Sequence, residues 1–137
     1  MEYQHIFLEK QEAVNIITLN RSASLNALTP LMLSELKHAF SVIAKDTACK
    51  VVILKGSGRA FSAGVDLKAM NESLVGGQFT QNQIIEDGND LEKIIRTMPQ
   101  PAIAQVHGHC YTGATELMIY FDLIVVEKKK KIGDTHA

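Results

Sequence analysis

The apolar run Val51-Val52-Ile53-Leu54 passes through Lys55 into a glycine-bearing segment, Gly56-Ser57-Gly58-Arg59-Ala60-Phe61-Ser62-Ala63-Gly64-Val65-Asp66-Leu67. A short continuous apolar run closed by glycine is the pattern of a strand covered on both faces, and such strands belong to parallel sheets. Parallel strands need long crossover connections, so the chain must alternate strands with helices. The flanking segments fit that demand. Ala13–Leu19 is rich in β-branched residues, and Ile6–Glu9 can pair with it across Lys10-Gln11-Glu12 as an N-terminal hairpin. Thr29-Pro30 supplies an N-cap and a first-turn proline, and Leu33, Leu36, Phe40 and Ile43 follow at helical spacing, which predicts a helix to about Lys45. A second helical stripe, Ile84, Leu91, Ile94, Ile95 and Met98, is stopped by Pro99 and Pro101. Ala102–Val106 and Leu123–Val126 read as strands with a short helix from Gly113 to Tyr120 between them, whereas Asn71–Phe79, with Gly76-Gly77, lacks periodicity and is predicted to be a mobile loop. The expected class is α/β, with right-handed crossovers.

A chain of 137 residues, 46% of them apolar, can bury one core, so residues 1–137 are expected to form a single domain. The net charge of −1, from 14 Lys and Arg against 15 Asp and Glu, supplies no field for nucleic acid or an anionic membrane. Lys128–Lys131 is the one charge run and reads as a solvated turn. No stretch has the length of a membrane span, and Met1-Glu2-Tyr3-Gln4-His5 has no basic leader region, which favours the cytoplasm. Cys49 and Cys110 lack CxxC spacing and read as reduced core thiols.

Gly56 to Phe61 imitates a dinucleotide fingerprint but places Phe61 where close helix packing needs glycine or alanine, and no phosphate-loop lysine follows. A different use suits the segment better. Gly64 frees the backbone so that the Val65 N–H can face a ligand, Asp66 can cap the next helix, and Lys68 lies one turn in, near any ligand phosphates. A second glycine turn, Thr112-Gly113-Ala114-Thr115-Glu116, would present the Gly113 N–H at a helix N-terminus, where peptide dipoles favour an anion. Two such N–H groups converging on one carbonyl oxygen make an oxyanion hole. Glu116 precedes the apolar run Leu117–Phe121, so its carboxyl can enter a buried cleft, where burial raises its pKa and makes it a usable acid or base. Helix-dipole compensation or a surface ion pair is the other role open to it. Five histidines show no metal-ligand spacing, and His107 and His109 read as polar strand ends.

Several of these segments together, in order along nearly the whole chain, resemble the crotonase superfamily, the enoyl-CoA hydratase/isomerase enzymes. The resemblance rests on Leu19-Asn20-Arg21, Leu25-Asn26-Ala27-Leu28, Phe61–Leu67, Val106-His107-Gly108, Gly113–Leu117 and Asp122-Leu123-Ile124. It implies a spiral core of repeated ββα units and a CoA thioester as substrate, held at Ala63, Val65, Asp66, Leu67, Lys68 and Gly113. It further implies water addition to a 2-enoyl-CoA, with Glu116 as acid/base, or double-bond isomerisation. A chain that binds acyl-CoA or a partner subunit without turnover is the reading from another class. The resemblance calls for no metal or redox cofactor, because CoA arrives with the substrate, and it implies a homo-oligomer, a trimer or hexamer. Where the hydratases carry a second glutamate, counting forward from Glu116, this chain has His136. The central glycine of the family's triplet is kept as Gly113, flanked here by Thr112 and Ala114. Family members also run well beyond this length, with helices that finish the acyl pocket and pack between subunits, so an incomplete domain with an exposed apolar face is expected.

Overall fold

The computed structural model describes residues 2–110, 117 and 119–127. Strands β1 (Ile6–Gln11) and β2 (Val14–Leu19) form the expected antiparallel hairpin, joined through Glu12, whose φ of 55° turns the chain. Helix α1 (Pro30–Ala44) then leads to β3 (Val51–Gly56) and the short β4 (Ala60–Ser62). Helices α2 (Leu67–Val75) and α3 (Gln81–Thr97) follow, then β5 (Ala102–Val106), β6 (His109–Cys110) and β7 (Leu123–Val126). The order β-β-α, β-β-α-α, β-β is the repeated unit the sequence implied. The main sheet runs β1-β2-β3-β5-β7, parallel from β2 onward, and β4 pairs with β6 in a small second sheet.

The core is built on one face of the main sheet. Ile17, Leu19, Val52, Leu54, Ala102 and Ala104 point inward and meet Met32, Leu36, Phe40 and Ile43 of α1 and Leu91 and Ile95 of α3. Because α1 and α3 cover the same face, β3 is not sheathed on both sides as its apolar run suggested. Its burial alternates, with Val51 and Ile53 only half-buried. The in-register row Ile16, Ile53, Ile103 and Leu123 crosses the opposite face, and all four side chains of β7 are exposed. Among the described residues β7 is the edge strand, so that edge is apolar.

Local signals set the helix ends. Thr29 Oγ1 accepts from Met32 N–H at 3.0 Å and Pro30 fills the first helical position, which fixes the start of α1. Buried Glu35 accepts from the backbone N–H groups of Gln4 and His5 at 2.6 and 2.7 Å, tying the entry to β1 onto α1. Lys37 reaches Asp87 and Asp90 at 3.2 and 2.9 Å and sets α3 against α1. Asp122 closes the far side of the sheet, accepting from Ala102 N–H at 2.8 Å through Oδ2.

The predicted loop at Asn71–Phe79 is corrected by the structure: residues up to Val75 belong to α2, and only the short segment after it is non-helical. Helix α2 buries none of its residues, and Leu67 and Val75 are its most exposed apolar side chains. An element without a buried stripe leaves no periodic trace in the sequence. Its start is set instead by Asp66, whose Oδ1 accepts from Ala69 N–H at 2.9 Å.

Candidate active site

The turn after β4 is held from three directions. Leu28 and Val65 form an isolated parallel bridge, in which Leu28 N–H donates to Gly64 O at 2.7 Å and Asp66 N–H donates to Leu28 O at 2.9 Å. Ala63 N–H donates to Leu25 O at 2.8 Å, and Gly64 N–H donates to Ser62 Oγ at 3.1 Å. Gly64 has a φ of 93°, which a side chain would strain. Every N–H from Ala63 to Asp66 is thereby used except one. Among the described residues, the Val65 N–H has no acceptor. The bridge spends Gly64 O and Asp66 N–H on Leu28, so the N–H of Val65 points to the other side of the strand.

Val65 borders an apolar cavity of about 130 Å³ whose walls include Leu28, Leu33, Met70, Leu91 and Leu117. A larger cavity, about 430 Å³, lies between the start of α1 and α2, with His5, Arg21, Thr29, Glu72 and Gln78 among its polar walls. Burial, followed by the nearby Arg21, lowers the pKa of His5 there, with Glu35 pulling weakly the other way. Val65, whose N–H is free, lines the smaller cavity.

Asn26 positions this turn, a role that sequence reasoning missed. Fully buried, with a φ of 54°, it donates through Nδ2 to Ser57 O and Ala60 O at 2.8 and 2.9 Å. Its Oδ1 accepts from Arg21 N–H at 2.8 Å, and its backbone carbonyl accepts from Ser62 Oγ at 2.8 Å. One side chain therefore locks the β2–α1 connection to the β3–β4 turn, and Ser62 relays that lock to Gly64. The available signal was an amide in an apolar stretch, which periodicity cannot weigh. Asn26→Ala would leave three backbone groups without partners and put alanine in a left-handed conformation. A loss of about 3–5 kcal/mol in unfolding free energy is expected, read from urea titration. A loss below about 1 kcal/mol would contradict the assignment.

Of the residues singled out from sequence, Ala63, Val65, Asp66, Leu67 and Lys68 are brought together on this turn and the first turn of α2. Asp66 also meets Arg21, Oδ2 to Nη1 at 3.3 Å, while the same guanidinium donates to Ala27 O at 2.6 Å. Leu67 and Lys68 are exposed. His107 donates from Nε2 to Gly58 O at 2.7 Å, and Phe61 N–H donates to His107 O at 2.9 Å, so this histidine braces the β3–β4 turn. Gly108 passes so close to Arg59 O that a Cβ would stand 2.0 Å from it, which makes glycine obligatory there. Cys49 is buried and unbridged, with its thiol 3.3 Å from Val51 O. Gly113, Glu116, His136 and the lysine run Lys128–Lys131 lie outside the described residues. Among the described residues no three His, Cys, Asp or Glu side chains are grouped as metal ligands would be, and no helix is long and apolar enough to cross a membrane.

Repeated ββα units, with a glycine turn that leaves one N–H without an acceptor beside an apolar cleft, define a crotonase-like fold. The profile of the family described as enoyl-CoA hydratase/isomerase matches residues 9–137, and the chain belongs to that family. It is 31% identical over 134 residues to the crotonyl-CoA hydratase of Syntrophomonas wolfei, covering 97% of this chain and 50% of that protein. Among solved structures, an enoyl-CoA hydratase/carnithine racemase from Magnetospirillum magneticum superposes with a TM-score of 0.81 at 31% identity, covering 96% of this chain and 49% of the other. An enoyl-CoA hydratase from Bacillus anthracis gives a TM-score of 0.78 at 28% identity, with 94% and 50% covered. The chain spans about half the length of the curated relatives it matches.

Proposed function

We propose that this chain carries the thioester-binding part of an enoyl-CoA hydratase site, in which water adds across the double bond of a 2-enoyl-CoA. The observation that carries the reading is the open N–H of Val65 beside an apolar cavity, in a turn whose neighbouring N–H groups are all engaged. A donor held rigidly and left unpaired suits an oxygen that gathers charge only during reaction.

In this reading the N–H groups of Val65 and Gly113 hold the thioester oxygen. Glu116, ionised, takes a proton from water as its oxygen bonds to Cβ. The π electrons of the Cα–Cβ bond pass onto the carbonyl as an enolate, and the proton then returns from Glu116 to Cα, giving the 3-hydroxyacyl thioester. His136 stands beside Glu116 as a second group able to exchange a proton near neutral pH. Lys68, exposed on the first turn of α2, faces the polar end of CoA. The substrate brings its own activated carbonyl, so no metal or redox cofactor has a part in these steps, and the protein works as a homo-oligomer.

The test is hydration of crotonyl-CoA, followed as loss of the conjugated enoyl-thioester absorbance. Falling absorbance with appearance of 3-hydroxybutyryl-CoA supports the reading. Retention of crotonyl-CoA at concentrations where it saturates the protein would leave binding without turnover, and would refute it.

A further inference from the structure

We propose that Gly88 sets the acyl-chain length the site accepts, by keeping open one wall of the apolar cavity beside Val65; the inference rests on the thioester reading above. Gly88 lies in the middle of the 17-residue helix α3, where glycine costs about 1 kcal/mol relative to alanine. Nothing in the fold requires it. Its φ is outside the left-handed region, and a Cβ built there would meet no atom within 4 Å. Gly108 and Gly56 differ, since a Cβ at either would strike backbone atoms at 2.0 and 2.5 Å. What the missing side chain of Gly88 leaves is space, and that space is cavity: Gly88 lines it with Leu33, Met70, Leu91, Leu117 and Tyr120.

The neighbours keep this wall in place. Asp87 and Asp90, on either side in sequence, are both paired with Lys37 of α1, so the stretch of α3 that carries Gly88 is pinned to the helix behind it. Leu91, one turn further along, is fully buried and presents the adjoining surface. The cavity measures about 130 Å³. A dry protein cavity of roughly 150 Å³ lined by Leu, Ile and Phe admits a guest the size of benzene. An acyl tail that enters this space meets Gly88 on its wall. A bulkier side chain at position 88 fills the volume such a tail needs while leaving the carbonyl end untouched.

The experiment compares the parent protein with Gly88→Ala and Gly88→Leu, measuring calorimetric affinity for free CoA, acetyl-CoA and hexanoyl-CoA together with the thermal midpoint. Gly88→Leu should lower the hexanoyl-to-acetyl affinity ratio by about tenfold or more, the usual worth of a changed methylene fit. Gly88→Ala, which fits the open space, should raise the thermal midpoint by about 2–5 °C. An unchanged ratio in folded Gly88→Leu, with hexanoyl-CoA bound by the parent, overturns the role of Gly88 and leaves the thioester reading standing. A lowered midpoint in Gly88→Ala also overturns it, because the wall would then not be open. Failure of the parent to bind either thioester more tightly than free CoA overturns the thioester reading, and this inference with it.

Discussion

Glu116→Gln is expected to lower hydration of crotonyl-CoA by about two to four orders of magnitude, the span a positioned acid/base contributes, while thioester affinity changes little. Glutamine keeps the size and hydrogen-bonding reach of the side chain but cannot take the proton from water or deliver it to Cα. The loss should therefore fall on kcat. Two features motivate the assignment: Glu116 follows Gly113 by three positions in the sequence, and it immediately precedes Leu117, which is buried and forms part of the cavity wall beside Val65. Steady-state rates for mutant and parent, with affinity for butyryl-CoA as the binding control, decide the matter. Equal turnover would remove Glu116 from the chemistry.

Val65→Pro is expected to lower kcat by about 10²–10³, equivalent to roughly 3–4 kcal/mol, by deleting one donor to the thioester oxygen. Proline is normally a blunt tool because it breaks a backbone hydrogen bond. Here the parallel bridge to Leu28 uses Gly64 O and Asp66 N–H, so no hydrogen bond among the described residues is lost when the N–H at position 65 disappears. Proline also fixes φ at about −65° and restricts the preceding residue, Gly64, whose φ is 93°, so the comparison is made on variant protein shown to be folded by its thermal unfolding. A folded Val65→Pro protein with parental kcat would show that the oxyanion donors lie elsewhere.

The parts of this fold that were legible in the sequence are mostly those whose burial has a period. The hairpin, α1, α3 and β5 each carry apolar residues at strand or helix spacing, and Thr29-Pro30 and Pro99 mark ends that the structure keeps within a residue or two; β7, exposed along its length, was legible from its unbroken apolar run instead. Helix α2 was hidden because it buries nothing, and its one signal was the Asp66 cap followed by Ala69 three positions on. The cover on β3 was overestimated because an unbroken apolar run does not tell which faces will find helices, and α1 and α3 share one. At the site, Gly64 and Val65 could be found from the need for a left-handed turn after a buried strand. Asn26 and Ser62 could not, since their work depends on long-range hydrogen bonds to Ala60, Ser57 and Gly64 that no local pattern encodes. The roles of Gly113, Glu116 and His136 rest on family resemblance joined to the chemistry of their residue types.

The central claim is that the Val65 N–H donates to the thioester carbonyl, and the most direct measurement is the infrared stretch of that carbonyl in bound butyryl-CoA carrying ¹³C at C1. Hydrogen bonds to the oxygen lengthen the C=O bond and lower its frequency. The account predicts a clear downward shift on binding to the parent protein and a smaller one with Val65→Pro. A bound carbonyl that absorbs where it does in water, or shifts equally in parent and variant, would contradict it.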